Sequence, residues 1–277
     1  YSFRLYYAYM KIIPLSGNYE LSGAGKKCTA AVPGDFHSAL LAAGIIPDPY
    51  YGRNESDVLW VGRTDWTIRR TFVFRRGENS RTFLVLTGAD TFFTASVNGK
   101  KAGTGDNMFR RWRFDVTRIL QDGTNTLEII FDSAEKKAEA AADELPYPVP
   151  CSEYPISSPH HNLVRKTQCH GGWDWGPDLM VSGIYGNIQL ETYSGGYFEN
   201  LTARYTQARS SHDWTVHVTA VYESFAEGGR AFTFSVSRCG SVISSIVKKF
   251  TLTAGTNVLH ADITVKNPDM WHTAGEL

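Results

Sequence analysis

The most constraining feature of this sequence is a succession of short segments in which apolar and polar residues alternate. Residues 66–74 show the alternation most clearly, as expected for a half-buried β-strand whose side chains point to opposite faces. Further strands are predicted at 81–86, 91–97, 112–116, 126–131, 180–182, 186–192, 213–222, 231–237, 241–252 and 258–265. The Asn98-Gly99 pair that follows one of these runs is the strongest short signal for a β-hairpin. The sequence therefore predicts an all-β protein.

Only two segments are typical of α-helices. Residues 37–43 follow a candidate N-cap at Asp35 and stop at Gly44, a residue that often ends helices. Residues 134–142 follow a second candidate cap, Ser133, and are rich in strong helix formers. Helices are thus expected to be a minor part of the fold.

The pattern of strand-like segments changes after the Ser-Gly-Gly sequence at 194–196, which predicts a domain boundary near residue 193. Residues 1–192 are expected to form a large β-sandwich, a jelly roll. Residues 193–277 have the strand spacing of a small immunoglobulin-like β-sandwich. The proline-rich loop at 145–159 is long for a compact domain, and such loops are usually functional.

Charge and hydropathy argue against two classes of partner. The 277 residues include 28 basic and 28 acidic side chains, so the formal net charge is zero. Nucleic-acid binding depends largely on Lys and Arg contacts to phosphates, so a neutral chain without a basic stripe is not expected to bind it. No run approaches the roughly 20 apolar residues of a membrane-spanning helix, so no membrane association is expected.

Cysteines and histidines give no sign of a metal site or of a disulfide framework. The cysteines, Cys28, Cys151, Cys169 and Cys239, are scattered without a C-x-x-C pair, and the adjacent histidines at 160–161 lack metal-ligand spacing. Reduced cysteines and a cytoplasmic location are expected, because the first residues lack the features of a secretory signal. Neither a metal ion nor a cofactor is therefore expected.

A Trp-Asp-Trp sequence carries the strongest chemical signal. In an extended segment Trp173 and Trp175 share one face and Asp174 takes the other, although the flanking glycines permit other arrangements. Sugars present apolar C–H faces and hydroxyl rims, so an aromatic platform beside a carboxylate acceptor suits a carbohydrate ligand. The alternative is structural: both tryptophans would lie in the core, and Asp174 would pair with Arg165 or Lys166.

Four motifs stand out beyond the strand pattern: Pro-Gly-Asp-Phe-His at 33–37, Ile-Pro-Asp-Pro-Tyr-Tyr-Gly-Arg-Asn-Glu at 46–55, Arg-Lys-Thr-Gln-Cys at 165–169 and Trp-Asp-Trp-Gly-Pro at 173–177. Together they resemble the N-terminal region of family 2 glycoside hydrolases of the β-mannosidase type. The Gly-Trp-Asp-Trp-Gly-Pro string is specific to that branch of the family. The closing segment also resembles a family element, Asn-Pro-x-x-Trp-Trp-Pro-x-Gly, with His272 and Thr273 in place of Trp and Pro.

This resemblance implies a galactose-binding-domain-like jelly roll, an immunoglobulin-like domain and then a catalytic (β/α)8 barrel in the same polypeptide. It implies a retaining exo-enzyme that removes terminal β-D-mannose from the non-reducing ends of oligosaccharides. By the same resemblance Trp173, Asp174 and Trp175 are expected to bind substrate, with the carboxylate accepting hydrogen bonds from sugar hydroxyls. Arg165 and His170 are weaker candidates, which would otherwise orient the loop.

No catalytic residue is expected in this chain. Retaining glycosidases use two carboxyl groups about 5–5.5 Å apart, and the resemblance places both as glutamates on the barrel. A barrel takes about 250 residues, which the two sandwiches leave no room for, so this chain alone is expected to be inactive. The dipeptide Asn54-Glu55 is expected to be structural. Two alternatives remain open: a free-standing carbohydrate-binding module and a β-galactosidase-like relative.

Overall fold

β-Strands make up most of the described chain, as the alternating pattern predicts. The structure is a computed structural model that describes residues 2–3, 10–77, 80–150, 156–174, 176–209 and 211–268. Two compact units are present, one formed by Lys11–Thr192 and the other by Tyr193–Leu277 with Tyr1–Met10. The predicted all-β class is confirmed.

The strands follow one another along the whole described chain. In order they are β1 (Ser2–Phe3), β2 (Met10–Pro14), β3 (Gly17–Gly23), β4 (Lys26–Val32), β5 (Gly34–Asp35), β6 (Trp66–Phe74), β7 (Ser80–Leu86), β8 (Ala89–Asp90), β9 (Phe92–Val97), β10 (Lys100–Asp106), β11 (Trp112–Asp115), β12 (Gly123–Asp132), β13 (Gly183–Ile184), β14 (Ile188–Ser194), β15 (Gly196–Gln207), β16 (Trp214–Ser224), β17 (Gly228–Arg238), β18 (Ser241–Leu252) and β19 (Gly255–Val265).

The first unit is a jelly-roll sandwich of a six-stranded and a four-stranded sheet. Their strand orders are β10-β9-β12-β6-β3-β4 and β11-β7-β14-β2. Both sheets bury their apolar side chains in one core, to which Ile68 and Ile129 contribute from the first and Leu84 and Leu190 from the second. Each strand buries only one face, so every second residue meets the core, which explains the alternation of apolar and polar residues in the sequence.

Local signals for turns and helices are largely confirmed. Asn98 and Gly99 have positive φ values of 53° and 74° and connect β9 to β10. Helix α1 (Phe36–Ala42) begins at its Asp35 cap, whose side chain accepts from the N–H of Ser38 at 2.8 Å. A short helix, α2 (Asn54–Val58), was not predicted, because five residues are too few to show a helical period. Helix α3 (Ala134–Asp143) begins after the predicted Ser133 cap.

Some strand predictions are wrong. Residues 180–182 are not a strand, and the two-residue β13 begins just after them. No strand was predicted at β2, β3, β4, β10 or β15, nor at the two-residue strands β1, β5, β8 and β13. Several of these have small or charged residues on both faces, so their alternation is weak. Among the described residues, no helix is long and apolar enough to cross a membrane.

The second unit is a smaller sandwich with three strands in each sheet. The orders are β15-β16-β19 and β1-β17-β18, and residues such as Val218, Phe234 and Leu259 form their shared core. Ser2 and Phe3 of β1 pair with Ser237 and Val236 of β17 in this unit, whereas the sequence prediction assigned residues 1–192 to the first domain. Across one edge, Lys248 Nζ of β18 donates to a main-chain carbonyl of β19 at 2.8 Å, which covers an open strand edge.

Two valines offer a matched test of the core of the first unit. Val97 is fully buried at the end of β9, whereas Val73 on β6 is 66% exposed. We expect Val97→Ala to lower the free energy of unfolding by about 2 kcal/mol, because it removes buried methyl groups and leaves a cavity. Val73→Ala is expected to change it by less than about 0.5 kcal/mol. Equal effects in chemical denaturation would contradict this packing.

Candidate functional site

A small sheet, β5-β13-β8, brings distant parts of the first unit together. Gly183 in β13 lies opposite Asp35 in β5 on one side and opposite Asp90 in β8 on the other. The N–H of Phe36 donates to the carbonyl of Ser182 at 3.0 Å, which ties the start of α1 to the same place. A Cβ at Gly183 would come within 2.8 Å of the Asp35 Cα, so this close pairing requires glycine.

The loop after β10 supports the segment that precedes the Trp-Asp-Trp sequence. Asn107 and Arg165 form a parallel bridge, and the N–H of Met108 donates to the carbonyl of Arg165 at 3.0 Å. The N–H of Thr167 lies 3.0 Å from the Met108 sulfur. The indole N–H of Trp112 donates to the carbonyl of Asn107 at 3.0 Å. The backbone of the Arg-Lys-Thr motif is therefore held from one side by this loop.

Glu55, the last residue of the motif at 46–55, contacts the chain just after the Trp-Asp-Trp sequence. The Glu55 carboxylate accepts a hydrogen bond from the N–H of Asp178. Asp178 in turn accepts from the N–H and the hydroxyl of Ser157, at 2.6 and 2.9 Å. Glu55 therefore has a structural contact, as its place in the motif predicted.

A fully buried ion pair lies beneath this segment. Lys166 Nζ is 3.0 Å from Asp90 Oδ2, and both side chains are completely shielded from solvent. The ammonium also donates to the carbonyl of Val181 and meets Nδ1 of His170, each at 2.9 Å. The other oxygen of Asp90 accepts a hydrogen bond from the Thr91 hydroxyl. Both charged groups are thus surrounded by hydrogen-bond partners, which a buried charge requires.

These contacts determine the ionisation of the pair. Burial by itself would raise the pKa of Asp90, but the positive charge of Lys166 and the hydrogen bonds donated by Lys166 and Thr91 oppose burial and lower that pKa. Burial lowers the pKa of Lys166, and the negative charge of Asp90 opposes that effect. An ammonium has three donors and Nζ has three acceptors around it, so we describe the pair as ionic.

Two rings border the ion pair. His37 in α1 is 6% exposed, and neither ring nitrogen has a hydrogen-bond partner among the described residues. Burial, offset in part by the negative charge of Asp35, lowers the pKa of His37 to about 4. The Tyr185 ring lies 6.0 Å from the ring of His170, and burial raises the pKa of its phenol. Both His37 and Tyr185 are therefore neutral near pH 7.

Two glycines allow the segment above the ion pair to turn back on itself. Gly171 and Gly172 have φ values of 85° and 106°, which residues with a Cβ rarely adopt. The N–H of Gly171 donates to the carbonyl of Leu179 at 2.9 Å, and a Cβ on Gly171 would lie 2.8 Å from Met180 Cε. The chain between Gly171 and Leu179 is therefore a loop closed at its neck, and it is called the Trp-Asp loop below.

Trp173 and Asp174 are presented to solvent by the Trp-Asp loop. The Trp173 side chain is 47% exposed, and Asp174 is exposed as well. Within the part of the chain that the structure describes, the Asp174 carboxylate makes no hydrogen bond or ion pair. The structural alternative is therefore wrong for these two residues, since Trp173 is outside the core and Lys166 pairs with Asp90. Trp175 lies outside the described residues.

Sequence reasoning missed Asp90 and misread Lys166. Asp90 stands directly before a predicted strand, and its only signal was a carboxylate in an otherwise apolar neighbourhood. Lys166 was considered only as a partner for Asp174. Gln168 of the same motif also has a structural task, because its amide donates to the carbonyls of His161, Val164 and Lys166 at 3.2–3.3 Å.

The described ranges contain no group of three or more His, Cys, Asp and Glu side chains that is arranged to hold a metal ion. Cys28, Cys169 and Cys239 are free thiols, and Cys151 lies outside the described residues. The chemistry of this end of the sandwich is therefore that of an exposed indole and carboxylate above a buried ion pair.

Comparison with known proteins associates the first unit with a carbohydrate-active family. Residues 19–186 match the family model described as glycosyl hydrolase 2 galactose-binding domain-like. The chain is 34% identical over 217 residues to a β-mannosidase of Rattus norvegicus, covering 76% of this chain and 24% of that protein. It is 32% identical over 268 residues to β-mannosidase B of Thermothelomyces thermophilus, covering 94% and 30%. The chain thus spans about a quarter to a third of the length of these relatives.

Solved structures show the same relationship. A β-D-mannosidase from Dictyoglomus thermophilum superposes with a TM-score of 0.83 at 32% identity, covering 94% of this chain and 32% of that one. An exo-chitosanase from Amycolatopsis orientalis gives a TM-score of 0.62 at 14% identity, covering 96% and 30%. The second likeness is one of fold alone.

The buried ring of His37 generates a prediction about acid stability. Because its pKa is about 4 in the folded chain against an ordinary 6.5, the unfolded chain binds the extra proton between these values. Stability is therefore expected to fall as the pH drops from about 6.5 to 4, by roughly 3 kcal/mol for this group. In His37→Leu this part of the pH dependence should disappear from denaturation curves. The exposed His212→Leu serves as the control, and identical slopes in the wild type and His37→Leu would contradict the assignment.

Proposed function

The chain belongs to glycosyl hydrolase family 2, and on that premise we propose that it is the N-terminal portion of a retaining exo-β-mannosidase. In this proposal the polypeptide hydrolyses terminal, non-reducing β-D-mannose residues of oligosaccharides. The chain supplies one wall of the mannose pocket, and a catalytic barrel of the same polypeptide supplies the reacting carboxylates. The similarity to β-mannosidases of other organisms favours mannose over other sugars.

The observation that carries this proposal is the state of Trp173 and Asp174. An indole that is 47% exposed presents part of its surface to solvent, which suits the apolar C–H surface of a pyranose. An exposed carboxylate without a described partner is an acceptor with both oxygens available, and it suits the hydroxyl rim of the same sugar. Because the two residues are adjacent on one loop, we expect both groups to reach the same monosaccharide.

Recognition by this loop depends on rigidity, because ordering a mobile loop on binding costs conformational entropy. The Trp-Asp loop is fixed at its neck by Gly171 and Leu179, and its flank is held by Glu55 through Asp178. Both contacts are made within the chain itself, so we expect the loop to lose little conformational entropy when a sugar binds. A preorganised acceptor also discriminates well, since a sugar that lacks the matching hydroxyl leaves the carboxylate unpaired.

One pair of neighbouring glutamates, Glu135 and Glu139, is already occupied by a structural contact. Glu135 and Glu139 approach each other, as the two carboxyl groups of a retaining glycosidase must. Both, however, are bound by one arginine, since Arg63 Nη1 donates to Glu135 at 2.6 Å and to Glu139 at 2.8 Å. Glu135 is also buried, and burial raises its pKa. Neither group is free to attack a sugar carbon.

Activity assays on two lengths of the protein test the proposal. The complete polypeptide encoded by the gene is expected to hydrolyse p-nitrophenyl β-D-mannoside, and residues 1–277 alone are not, because the reacting carboxylates are absent from them. The matching β-galactoside, β-glucuronide and β-glucosaminide should be poorer substrates. Turnover by residues 1–277 would refute the division between a binding portion and a catalytic barrel. Preference for another glycoside would refute the assignment of β-mannosides as substrates.

A second test concerns Asp174 itself. In the complete polypeptide we expect Asp174→Ala to lower kcat/KM for the aryl β-mannoside by about 10- to 100-fold, the loss of one charged hydrogen bond. Asp122→Ala removes another exposed aspartate, near the other end of the sandwich, and should leave kcat/KM unchanged. Equal activity of Asp174→Ala and Asp122→Ala would show that Asp174 does not contact the sugar.

A further inference from the structure

Lys166 joins three separate parts of the chain around the neck of the Trp-Asp loop. Its ammonium contacts His170 on the segment that enters the loop and the carbonyl of Val181 on the segment that leaves it, each at 2.9 Å. Its third partner, Asp90, belongs to β8 of the small sheet, at 3.0 Å. The lysine therefore ties both ends of the loop to the scaffold, just below the hydrogen bond between Gly171 and Leu179.

The same contacts determine where His170 carries its proton. Nδ1 of His170 is 2.9 Å from Lys166 Nζ and 3.3 Å from Asp90 Oδ2. One nitrogen cannot accept from the lysine and donate to the carboxylate at once. The shorter contact and the three donors of the ammonium favour acceptance, which places the imidazole proton on Nε2. Nε2 has no partner among the described residues, and the side chain is 22% exposed.

Stability alone is a poor reason for such an arrangement. Exchanging a buried ion pair for apolar side chains of similar size is often neutral or stabilising, because desolvation cancels much of the attraction. Hydrogen bonds and ion pairs, by contrast, are directional, so they define how the groups that they join are oriented. Lys166 and Asp90 are both fully shielded, and each of their contacts is to the neck of the loop or to the sheet beneath it.

We propose that Lys166 is a positioning residue of the sugar site, which closes the neck of the Trp-Asp loop and holds His170 with its proton on Nε2. This inference rests on the proposed function for its relevance to sugar binding. Through the neck, Lys166 fixes the backbone from which Trp173 and Asp174 project. Through His170, it leaves one N–H donor at the partly exposed edge of the same loop.

Nuclear magnetic resonance of the ¹⁵N-labelled chain tests the arrangement without any assay of activity. In the wild type, Nδ1 of His170 is expected to be unprotonated and Nε2 protonated. The amide of Gly171 should be protected from hydrogen exchange, and Lys166→Met should accelerate its exchange at least about tenfold by opening the neck. The indole of Trp66, which donates to the carbonyl of Val61 within the core, reports whether the fold persists.

Two further variants separate positioning from loss of stability. Lys166→Met leaves the buried charge of Asp90 unpaired, which is strongly destabilising, so the double variant D90N/K166M removes both charges together. Val97→Ala destabilises the same sandwich at the opposite end of β9 from Asp90. We expect faster exchange at Gly171 in both lysine variants and little change in Val97→Ala. Unchanged exchange in a folded lysine variant, or a proton on Nδ1 of His170 in the wild type, would overturn the proposal.

Kinetics of the complete polypeptide then measure the consequence for the sugar. We expect D90N/K166M to lower kcat/KM for p-nitrophenyl β-D-mannoside about 10²-fold, mainly through a higher KM, as displacement of a positioned group does. Val97→Ala should retain wild-type kinetics at temperatures where it is folded. Wild-type kinetics in D90N/K166M would overturn the role of Lys166. If the wild type does not cleave β-mannosides, the proposed function fails, and exchange at Gly171 still decides whether Lys166 closes the loop.

Discussion

The arrangement of the Trp-Asp loop depends on the buried ion pair between Lys166 and Asp90. A lysine with no solvent contact needs an acceptor for each of its donors, and here the three acceptors come from three different segments. Satisfying the ammonium therefore brings these segments together. The part of the loop beyond the neck can then carry an exposed indole and an exposed carboxylate. Among the described residues the carboxylate has no hydrogen bond or ion pair, which leaves it available for a ligand.

The scaffold below the loop explains how a β-sandwich provides such a site. Strands of the two large sheets fill the core with apolar side chains, and the small sheet β5-β13-β8 gathers Asp35 and Asp90 at one end. Glycines at the close approaches, Gly183 and Gly171, let backbones meet where a Cβ would collide. The rigid part of the molecule and the part with free functional groups are thus adjacent but distinct, as is usual for sites on loops.

The sequence predicts individual strands better than it predicts the tertiary contacts of the site. Strand β6 was predicted with its observed ends, Trp66 and Phe74, because alternate residues meet core and solvent. Strand β4 was not, since its Lys-Lys-Cys-Thr-Ala-Ala-Val sequence has little contrast between faces. The motif around Asp174 identified the loop, but the partner of Lys166 is 76 residues away in sequence. A pairing over that distance is set by tertiary packing, so no local pattern reveals it.

In the proposed site, Asp174 accepts a hydrogen bond from a hydroxyl of the bound sugar. This contact is tested most directly by a double-mutant cycle in the complete polypeptide, with Asp174→Ala on one side and aryl β-mannosides that lack one hydroxyl at a time on the other. At one ring position the two losses should fail to add, with a coupling energy of about 1.5–3 kcal/mol. Additive losses at every position would contradict the account.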